Sequence, residues 1–251
     1  MRNYISVISH GHAELIKEIN ALPYLAEENI VVLKCNKPED YPALSSYCEM
    51  HGIYLLAENY GMGFGENNNY VFNHCRQKLD LQDDDYFIVM NPDVKIDEVD
   101  FKKLEKHLEQ DNANLAAINL FKDDEKTISD DSIRKFPNLI HFINSFVFKK
   151  NTTKYNKLSI KEPRCVDWAA GSFLVFKAKH YAALNGFDKR YFMYCEDIDI
   201  CYRSHKINSP VVYYPDVTAI HLAKHANRAI ISKHFYWHLK SVITFMIKRY
   251  F

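Results

Sequence analysis

The sequence predicts an α/β protein with a mostly parallel central sheet flanked by helices. Short apolar runs rich in β-branched and aromatic residues alternate with stretches whose apolar residues recur at helical spacing. The chain has 251 residues, of which 47% are hydrophobic, which is enough for one large core or two small ones. Its aromatic content of 14% excludes intrinsic disorder, and its 7 Gly and 8 Pro exclude a collagen-like or linker sequence.

The first half of the chain contains the βαβ pattern. The predicted strands are residues 4–9, 30–35, 53–57 and 86–90, and the predicted helices are residues 12–22, 43–51 and 68–79. Ligands bind at the carboxyl ends of strands in such sheets. We therefore expect the residues that follow these strands to converge, namely Ser9-His10, Cys35-Asn36, Glu58-Asn59 and Asn91–Asp93.

A polar, irregular stretch from 121 to 163 follows, which we interpret as an insertion or flexible connection. A second ordered block comes after it, with predicted strands at 169–176 and 211–214 and predicted helices at 178–184 and 198–205. Six cysteines without a CxxC pair, together with a start that has no signal-peptide core, predict a cytoplasmic protein with reduced thiols. A zinc site built from Cys195, Cys201, His205 and a later histidine is the weaker alternative.

The C-terminal region differs in charge from the rest of the chain. Lysine plus arginine equals aspartate plus glutamate at 32 each, which argues against a nucleic-acid partner, yet no acidic residue follows Asp216. From Ile230 onward, apolar residues recur at helical spacing: Ile231, Phe235, Leu239, Val242, Phe245 and Met246. Such a helix either packs on the sheet or lies on an anionic membrane surface, which its basic residues and Tyr236, Trp237 and Tyr250 would favour.

Three motifs contain residues suited to chemistry. Gly61, Gly63 and Gly65 alternate within an asparagine-rich turn before a predicted helix, an arrangement that either binds a diphosphate or only caps the helix. Asn91-Pro92-Asp93 ends a strand with a carboxylate, a ligand that suits Mg²⁺ or Mn²⁺, although such a turn is common. In Glu196-Asp197-Ile198-Asp199 the clustered carboxylates favour a raised pKa and a general base, or else an acidic helix start.

In this order, the motifs resemble those of family 2 glycosyltransferases, and especially those of the bacterial rhamnosyltransferase-like branch. The fold that this resemblance implies is the GT-A fold, which has a Rossmann-like central sheet. The resemblance extends from Tyr4 to about Arg228. Its most specific part begins at Val166-Asp167-Trp168-Ala169-Ala170-Gly171-Ser172, continues through Gly186-Phe187-Asp188 and ends at Glu196-Asp197-Ile198-Asp199. It implies a catalytic domain at 1–225, divided into a nucleotide-sugar half (1–120), a variable insertion (121–163) and an acceptor half (164–225), followed by a C-terminal helix at 226–251.

The resemblance also implies residue roles. Asp93 and His221 would bind the divalent metal, Mn²⁺ or Mg²⁺, and Asp197, with Glu196 beside it, would be the catalytic base. The expected nucleotide-sugar contacts are Ser9, Asn36, Asn59, Gly63, Gly65, Asn68, Asn91, Asp93 and Gly171, and the expected acceptor contacts are Asp167, Trp168 and Tyr194. One position departs from the family: Cys35-Asn36 stands where Asp-Asn is usual, which leaves the identity of the nucleotide base open.

The implied reaction is inverting transfer of a sugar from a nucleotide diphosphate donor. The branch favours dTDP-rhamnose as the donor and a lipid-linked or cell-surface oligosaccharide of an O-antigen or capsule as the acceptor. A UDP-hexose donor and a catalytically silent carbohydrate-binding protein are the alternatives. A nucleotidyltransferase is disfavoured because Ser9-His10-Gly11-His12 lacks the Gly-rich, basic loop of those enzymes.

Overall fold

The computed structural model describes residues 1–142, 152–222 and 233–250. Within these ranges, a central sheet confirms the mostly parallel α/β architecture. Its strands, numbered in chain order, lie side by side as β3 (Tyr54–Leu56), β2 (Ile30–Cys35), β1 (Asn3–Ser9), β4 (Tyr86–Met90), β10 (Phe173–Lys177), β6 (Leu115–Phe121), β11 (Val211–His221) and β5 (Val94–Ile96). Strand β8 (Arg164–Val166) also pairs with β11, and β7 (Ile133–Arg134) pairs with β9 (Trp168–Ala169) in a separate ribbon.

The directions of the strands bring several strand ends to one edge of the central sheet. Strands β3, β2, β1 and β4 are parallel, and β10 lies antiparallel between β4 and β6. Strand β6 therefore has the same direction as β4, and β11 is parallel to β6. As a result, β1, β2, β4, β6 and β11 all end at the same edge of the sheet.

Helices cover both faces of this sheet. They are α1 (Ala13–Ile19), α2 (Leu22–Glu28), α3 (Tyr41–Met50), α4 (Phe64–Lys78), α5 (Glu98–Asp111), α6 (Ala178–Ala183), α7 (Glu196–Lys206) and α8 (Lys233–Tyr250). Alternate residues of β1 supply two cores: Tyr4 and Ile8 pack with α4, α6, α7 and α8, whereas Ile5 and Val7 pack with α1, α2, α3 and α5. Burial on both faces explains why the strands are continuous apolar runs.

Two predicted elements are divided in the structure. The helix predicted at 12–22 is two helices, because Asn20 takes a left-handed conformation with φ of 49° after α1 and Pro23 stands in the first turn of α2. The strand predicted at 169–176 is interrupted by a turn at 170–172, so that β9 and β10 belong to different sheets. That turn contains Gly171.

The chain after Met90 is more ordered than its sequence indicates. The sequence pattern did not predict β5, α5 or β6. The strand predicted at 211–214 is longer and extends to His221, with an irregularity in its pairing between Tyr214 and Thr218. The stretch predicted to be irregular contains β7 and contributes the buried Ile133 and Ile160 to the core, while residues 143–151 lie outside the described part. The boundaries of the catalytic domain and its halves remain predictions.

The described residues include all six cysteines and the helices whose hydropathy bears on membrane insertion. All six cysteines are free, and all but Cys165 are buried. Within the described ranges, no helix combines the length and the hydrophobicity needed to cross a bilayer.

Candidate active site

Asp93 and His221 meet where β4 and β11 end. Pro92 turns the chain after β4, and the Leu222 N–H donates to the Asp93 carbonyl at 3.1 Å, which holds the two chain segments together. Nε2 of His221 lies 3.5 Å from Oδ1 of Asp93. Nδ1 of the same ring lies 2.7 Å from Oδ2 of Asp130, so the imidazole stands between two carboxylates.

The charges of these three groups support one another. Burial by itself lowers the pKa of His221, but hydrogen bonds to Asp130 and Asp93 and their negative charges raise it to about 9. Burial by itself raises the pKa values of Asp93 and Asp130, yet the hydrogen bond and charge of His221 leave both below their usual range. Both carboxylates are therefore ionised at neutral pH.

The donor atoms fit a divalent cation that shares its coordination with a ligand. Oδ1 of Asp93 and Nε2 of His221 face each other, and a cation that displaces the proton from Nε2 would find a hard oxygen beside an imidazole nitrogen. Among the described residues no group of three or more His, Cys, Asp or Glu side chains forms a metal cage, and this includes the zinc alternative with Cys195 and Cys201. Two protein ligands leave room for the phosphate oxygens and waters that Mg²⁺ and Mn²⁺ usually retain.

The second group of acidic residues begins α7. Tyr194 and Cys195, which precede the helix, both have positive φ, at 72° and 63°, an unusual conformation for consecutive non-glycine residues. Oδ2 of Asp197 accepts a hydrogen bond from the Gly171 N–H at 3.2 Å, and its Oδ1 accepts one from the Ile198 N–H at 2.8 Å. Glu196 is buried, and its Oε2 has no hydrogen-bond partner in the described part of the chain.

The environment distinguishes the two neighbouring carboxyl groups. Burial and the charge of Asp197 raise the pKa of Glu196 well above its usual value. Burial also raises the pKa of Asp197, but the N–H groups of Gly171 and Ile198 and the positive charge of Arg134 oppose that rise. The arrangement therefore favours an ionised Asp197 beside a protonated Glu196, and an ionised carboxylate of raised pKa is suited to accept a proton.

A short contact path joins the two groups. Asp197 is bonded to Gly171, and the carbonyl of the next residue, Ser172, accepts a hydrogen bond from the Asn91 N–H at 2.9 Å. Asn91 is two residues from Asp93, so both groups lie at the same edge of the sheet. The structure thus places Asp93 and His221, the candidate metal ligands, at the same sheet edge as Asp197, the candidate base.

The glycine-rich turn packs against the protein itself. A Cβ atom on Gly63 would lie 2.3 Å from the Phe192 carbonyl oxygen, and one on Gly65 would lie 2.6 Å from Cβ of Phe187. The Phe192 backbone and the Phe187 side chain, both from the segment before α7, therefore approach these glycines closely. Asn68 is fully buried, where it accepts a hydrogen bond from Ser6 at 2.8 Å, whereas Asn59 is exposed.

Ser9 and Asn36 hold strand-end loops in place. The Ser9 hydroxyl donates to Asp40 at 2.7 Å, and Asp40 also accepts a hydrogen bond from the Gly11 N–H at 2.7 Å. The Asn36 amide donates to Nδ1 of His10 and to the Met62 carbonyl, both at 2.9 Å. These contacts fix the loops after β1, β2 and β3 relative to one another.

The acceptor-side candidates also have partners within the chain. Oδ2 of Asp167 accepts a hydrogen bond from the Phe136 N–H at 2.8 Å, and its Oδ1 accepts one from the Tyr155 hydroxyl at 3.0 Å. The indole N–H of Trp168 donates to the Lys135 carbonyl at 2.9 Å. Asp167 and Trp168 therefore attach the segment around 135 to the turn that contains Gly171.

Comparison with known proteins decides the family. No protein-family model matches the chain. The chain is 37% identical over 247 residues to rhamnosyltransferase WbbL of Escherichia coli (strain K12), and the alignment covers 98% of this chain and 93% of WbbL. The chain is a family 2 glycosyltransferase of the rhamnosyltransferase-like branch.

A second relative and the solved structures agree with this assignment. The chain is 30% identical over 174 residues to N-acetylglucosaminyl-diphospho-decaprenol L-rhamnosyltransferase of Mycobacterium tuberculosis (strain CDC 1551 / Oshkosh), covering 66% of this chain and 56% of that protein. GalNAc-T7, solved with UDP, GalNAc and Mn²⁺, superposes with a TM-score of 0.60 at 13% identity over 88% of this chain and 44% of its own. S. aureus TarS 1–349 superposes with a TM-score of 0.56 at 11% identity over 88% of this chain and 60% of its own. These structures confirm the GT-A fold of the glycosyltransferase.

Two residues of the glycosyltransferase site were not identified from the sequence. Asp130 contacts His221, and the charge of Arg134 acts on Asp197. Both belong to the stretch between 121 and 163, where no hydrophobic period marks an element. The only sequence signal near them was the acidic pair Asp130-Asp131, which suggested a solvated loop.

Helix α8 packs beside residues 192–194, the segment that precedes α7. The Ser241 hydroxyl donates to the Met193 carbonyl at 2.9 Å, and the rings of Trp237 and Phe192 lie 4.6 Å apart. The hydroxyl of Tyr194, an expected acceptor contact, lies 3.0 Å from Nδ1 of His234. The helix therefore supports the strained backbone from which α7 begins.

Proposed function

We propose that the enzyme transfers a sugar, with inversion, from a nucleotide diphosphate sugar to an acceptor hydroxyl, and that Asp197 is the base. The observation that supports this is the pairing of Asp197 with the Gly171 N–H at the edge where Asp93 and His221 meet. Asp93 and His221 would hold the divalent cation, Mn²⁺ or Mg²⁺, which when bound would supply positive charge for the departing diphosphate.

Residues of the chain itself carry out the proton transfer that accompanies the displacement. Asp197 accepts the proton of the acceptor hydroxyl as the oxygen forms a bond to the anomeric carbon, and the bond from that carbon to the diphosphate oxygen breaks. The backbone N–H of Gly171 orients the carboxylate. One displacement at the anomeric carbon inverts it, so no enzyme nucleophile is needed. Because Glu196 is protonated, it is neutral and adds no second negative charge beside Asp197.

The donor is dTDP-rhamnose in this proposal. WbbL and the mycobacterial relative are both named as rhamnosyltransferases, and WbbL aligns with nearly all of this chain. A UDP-hexose is the alternative, because GalNAc-T7 was solved with UDP and TarS with UDP-GlcNAc. These two structures share only the fold with this chain, so they weigh less than the relatives.

The acceptor in this proposal is a lipid-linked oligosaccharide, and the enzyme lies on the inner face of the cytoplasmic membrane. The name of the mycobacterial relative includes a decaprenol diphosphate, which is a lipid carrier. Helix α8 buries Val242 and Phe245 in the core, as the packing interpretation predicts. Its outward side nevertheless carries exposed apolar residues at three- and four-residue steps, an outward stripe formed by Tyr236, Leu239, Ile243, Ile247 and Tyr250.

The sequence predicted membrane contact through basic residues, and the outward stripe adds an apolar surface to that contact. Among the described basic residues of α8, Lys248 binds Asp188 and Asp199, Arg249 donates to the Pro137 carbonyl, and Lys240 is exposed. We therefore expect apolar insertion of the stripe to contribute beside charge, in the manner of an interfacial helix that buries one face at the headgroup boundary.

The experiment for the proposed reaction measures transfer with purified enzyme. dTDP-rhamnose and a panel of UDP-sugars are incubated with a lipid-linked acceptor analogue and Mn²⁺ or Mg²⁺, and the anomeric configuration of the product is determined by NMR. We expect an inverted rhamnoside, no transfer in EDTA and no transfer by Asp93→Ala. A retained configuration, or full activity of Asp93→Ala in EDTA, would exclude this mechanism.

A further inference from the structure

Asp130 occupies a fixed position between β6 and the end of β11. Its N–H donates to the Leu120 carbonyl at 2.9 Å, and the preceding residue, Ser129, forms a bridge with Phe121. The buried ammonium of Lys157 donates to the same Leu120 carbonyl and to the Ser132 hydroxyl, each at 3.1 Å. The carboxylate is thus attached to the strand beside β11 through backbone bonds rather than through a flexible loop.

Asp130 reaches only one side of the His221 ring. Its Oδ2 lies 2.7 Å from Nδ1, whereas Asp93 faces Nε2 from the other side. The two nitrogens of an imidazole point in different directions, so a cation bound to Nε2 lies away from Asp130. This excludes a shared role as direct ligand and leaves Asp130 free to accept the Nδ1 hydrogen.

We propose that Asp130 is a positioning residue that sets the His221 ring so that Nε2 faces the cation held by Asp93. The inference rests on the proposed metal site. A carboxylate that accepts the second N–H of a metal-binding histidine fixes its tautomer and rotation and makes the other nitrogen a stronger ligand. Without Asp130, the ring of His221 could rotate about its side-chain bonds, and Nε2 would no longer be directed at Asp93.

The test measures Mn²⁺ affinity rather than turnover. Free Mn²⁺ is quantified by electron paramagnetic resonance in the presence of dTDP for wild type, for the single variants Asp93→Ala, Asp130→Asn, Asp130→Ala, Asp131→Asn and His221→Ala, and for the double variant Asp130→Ala/His221→Ala. We expect Asp130→Ala to weaken Mn²⁺ binding about 10- to 100-fold, the range typical of such partners. Asp130→Asn keeps an oxygen acceptor and should lose less.

The double variant separates positioning from other roles. If Asp130 acts through His221, the double variant should differ from His221→Ala in Mn²⁺ affinity by less than about twofold, because the effects of partners that act as a unit are not additive. An equal loss in both backgrounds, or wild-type affinity in Asp130→Ala, would overturn the proposal. The neighbouring Asp131→Asn is the control, since Asp131 pairs with Lys154 and should leave binding unchanged.

A failure of the metal site itself gives a different pattern. If His221→Ala and Asp93→Ala both bind Mn²⁺ as wild type does, the cation site is wrong and the role of Asp130 falls with it. If His221→Ala loses affinity and Asp130→Ala does not, the site stands and only the positioning role is overturned. Melting temperatures of all variants, measured without metal, show whether each one is folded.

Discussion

The ammonium nitrogen of Lys248, in the last turn of α8, lies 2.6 Å from Oδ1 of Asp199 in α7. Asp199 is fully buried and also accepts a hydrogen bond from Arg203 at 2.7 Å and one from the Tyr191 hydroxyl at 3.3 Å. The third carboxylate of the acidic motif is therefore an anchor for the C-terminal helix. It connects α8 to the helix that begins with the proposed base.

Replacing Lys248 with methionine should weaken this connection. The change leaves Asp188 and Asp199 without one charged partner, so we expect the free energy of unfolding to fall by about 1–3 kcal/mol. The measurement is chemical denaturation followed by circular dichroism. Lys240→Met, an exposed lysine on the same helix, is the matched control and should change stability by less than about 0.5 kcal/mol. Equal effects of the two variants would show that the ion pair stabilises nothing.

The sequence predicted the parts of the site that follow regular strands or form short motifs. Asp93 could be placed because an apolar run ends at Met90, and the sheet edge followed from the strand pattern. Asp130 and Arg134 could not be placed, because Asp130 lies in an irregular turn back onto the end of β6 and Arg134 pairs with the distant β9, and neither arrangement leaves a local hydrophobic period. Gly63 was identified from its spacing, but only the fold shows that Phe192 approaches it.

Asp197 and Glu196 should differ sharply as catalytic residues. Asp197→Asn keeps the shape of the side chain and an oxygen for one of its two backbone hydrogen bonds but cannot accept a proton, so kcat should fall by roughly 10²–10⁴. Glu196→Gln should retain most activity, because Glu196 is expected to be protonated in any case. Donor affinity, measured by calorimetry, should change little in either variant. If Glu196→Gln is the inactive one, the two roles are reversed.

The pH dependence of kcat/KM should respond to Arg134. The base must be ionised, so activity is lost as the pH falls through the raised pKa of Asp197, or of the coupled pair that it forms with Glu196. Arg134 lowers that pKa through its positive charge. Arg134→Met should therefore move the acidic limb of the profile to higher pH, whereas Arg134→Lys should keep it near the wild-type position. An acidic limb that does not move in Arg134→Met would contradict the assignment of Asp197.

Gly65 should tolerate no side chain. A Cβ atom there would lie 2.6 Å from Cβ of Phe187, and overpacking of this kind costs about 1–3 kcal/mol. We expect Gly65→Ala to lower the melting temperature measured by calorimetry. Asn73→Ala is the control, because Asn73 is an exposed residue of the same helix, and its replacement should leave the melting temperature nearly unchanged. Equal melting temperatures for Gly65→Ala and wild type would show that Phe187 can move away without cost.

The outward stripe of α8 should determine binding to lipid vesicles. Ile243 and Ile247 are about half exposed, so replacing both with glutamate should not disturb the core but should abolish co-sedimentation with anionic vesicles. Lys240→Gln should weaken binding only modestly and mainly at low salt, since one basic residue near an anionic surface contributes about 1 kcal/mol. Leu158→Glu, which changes an exposed leucine outside the helix, is the matched control. Unchanged sedimentation of the double glutamate variant would leave α8 only its packing role. A concentration-dependent dimer in the absence of lipid that the same variant abolishes would assign the stripe to a second copy of the chain instead.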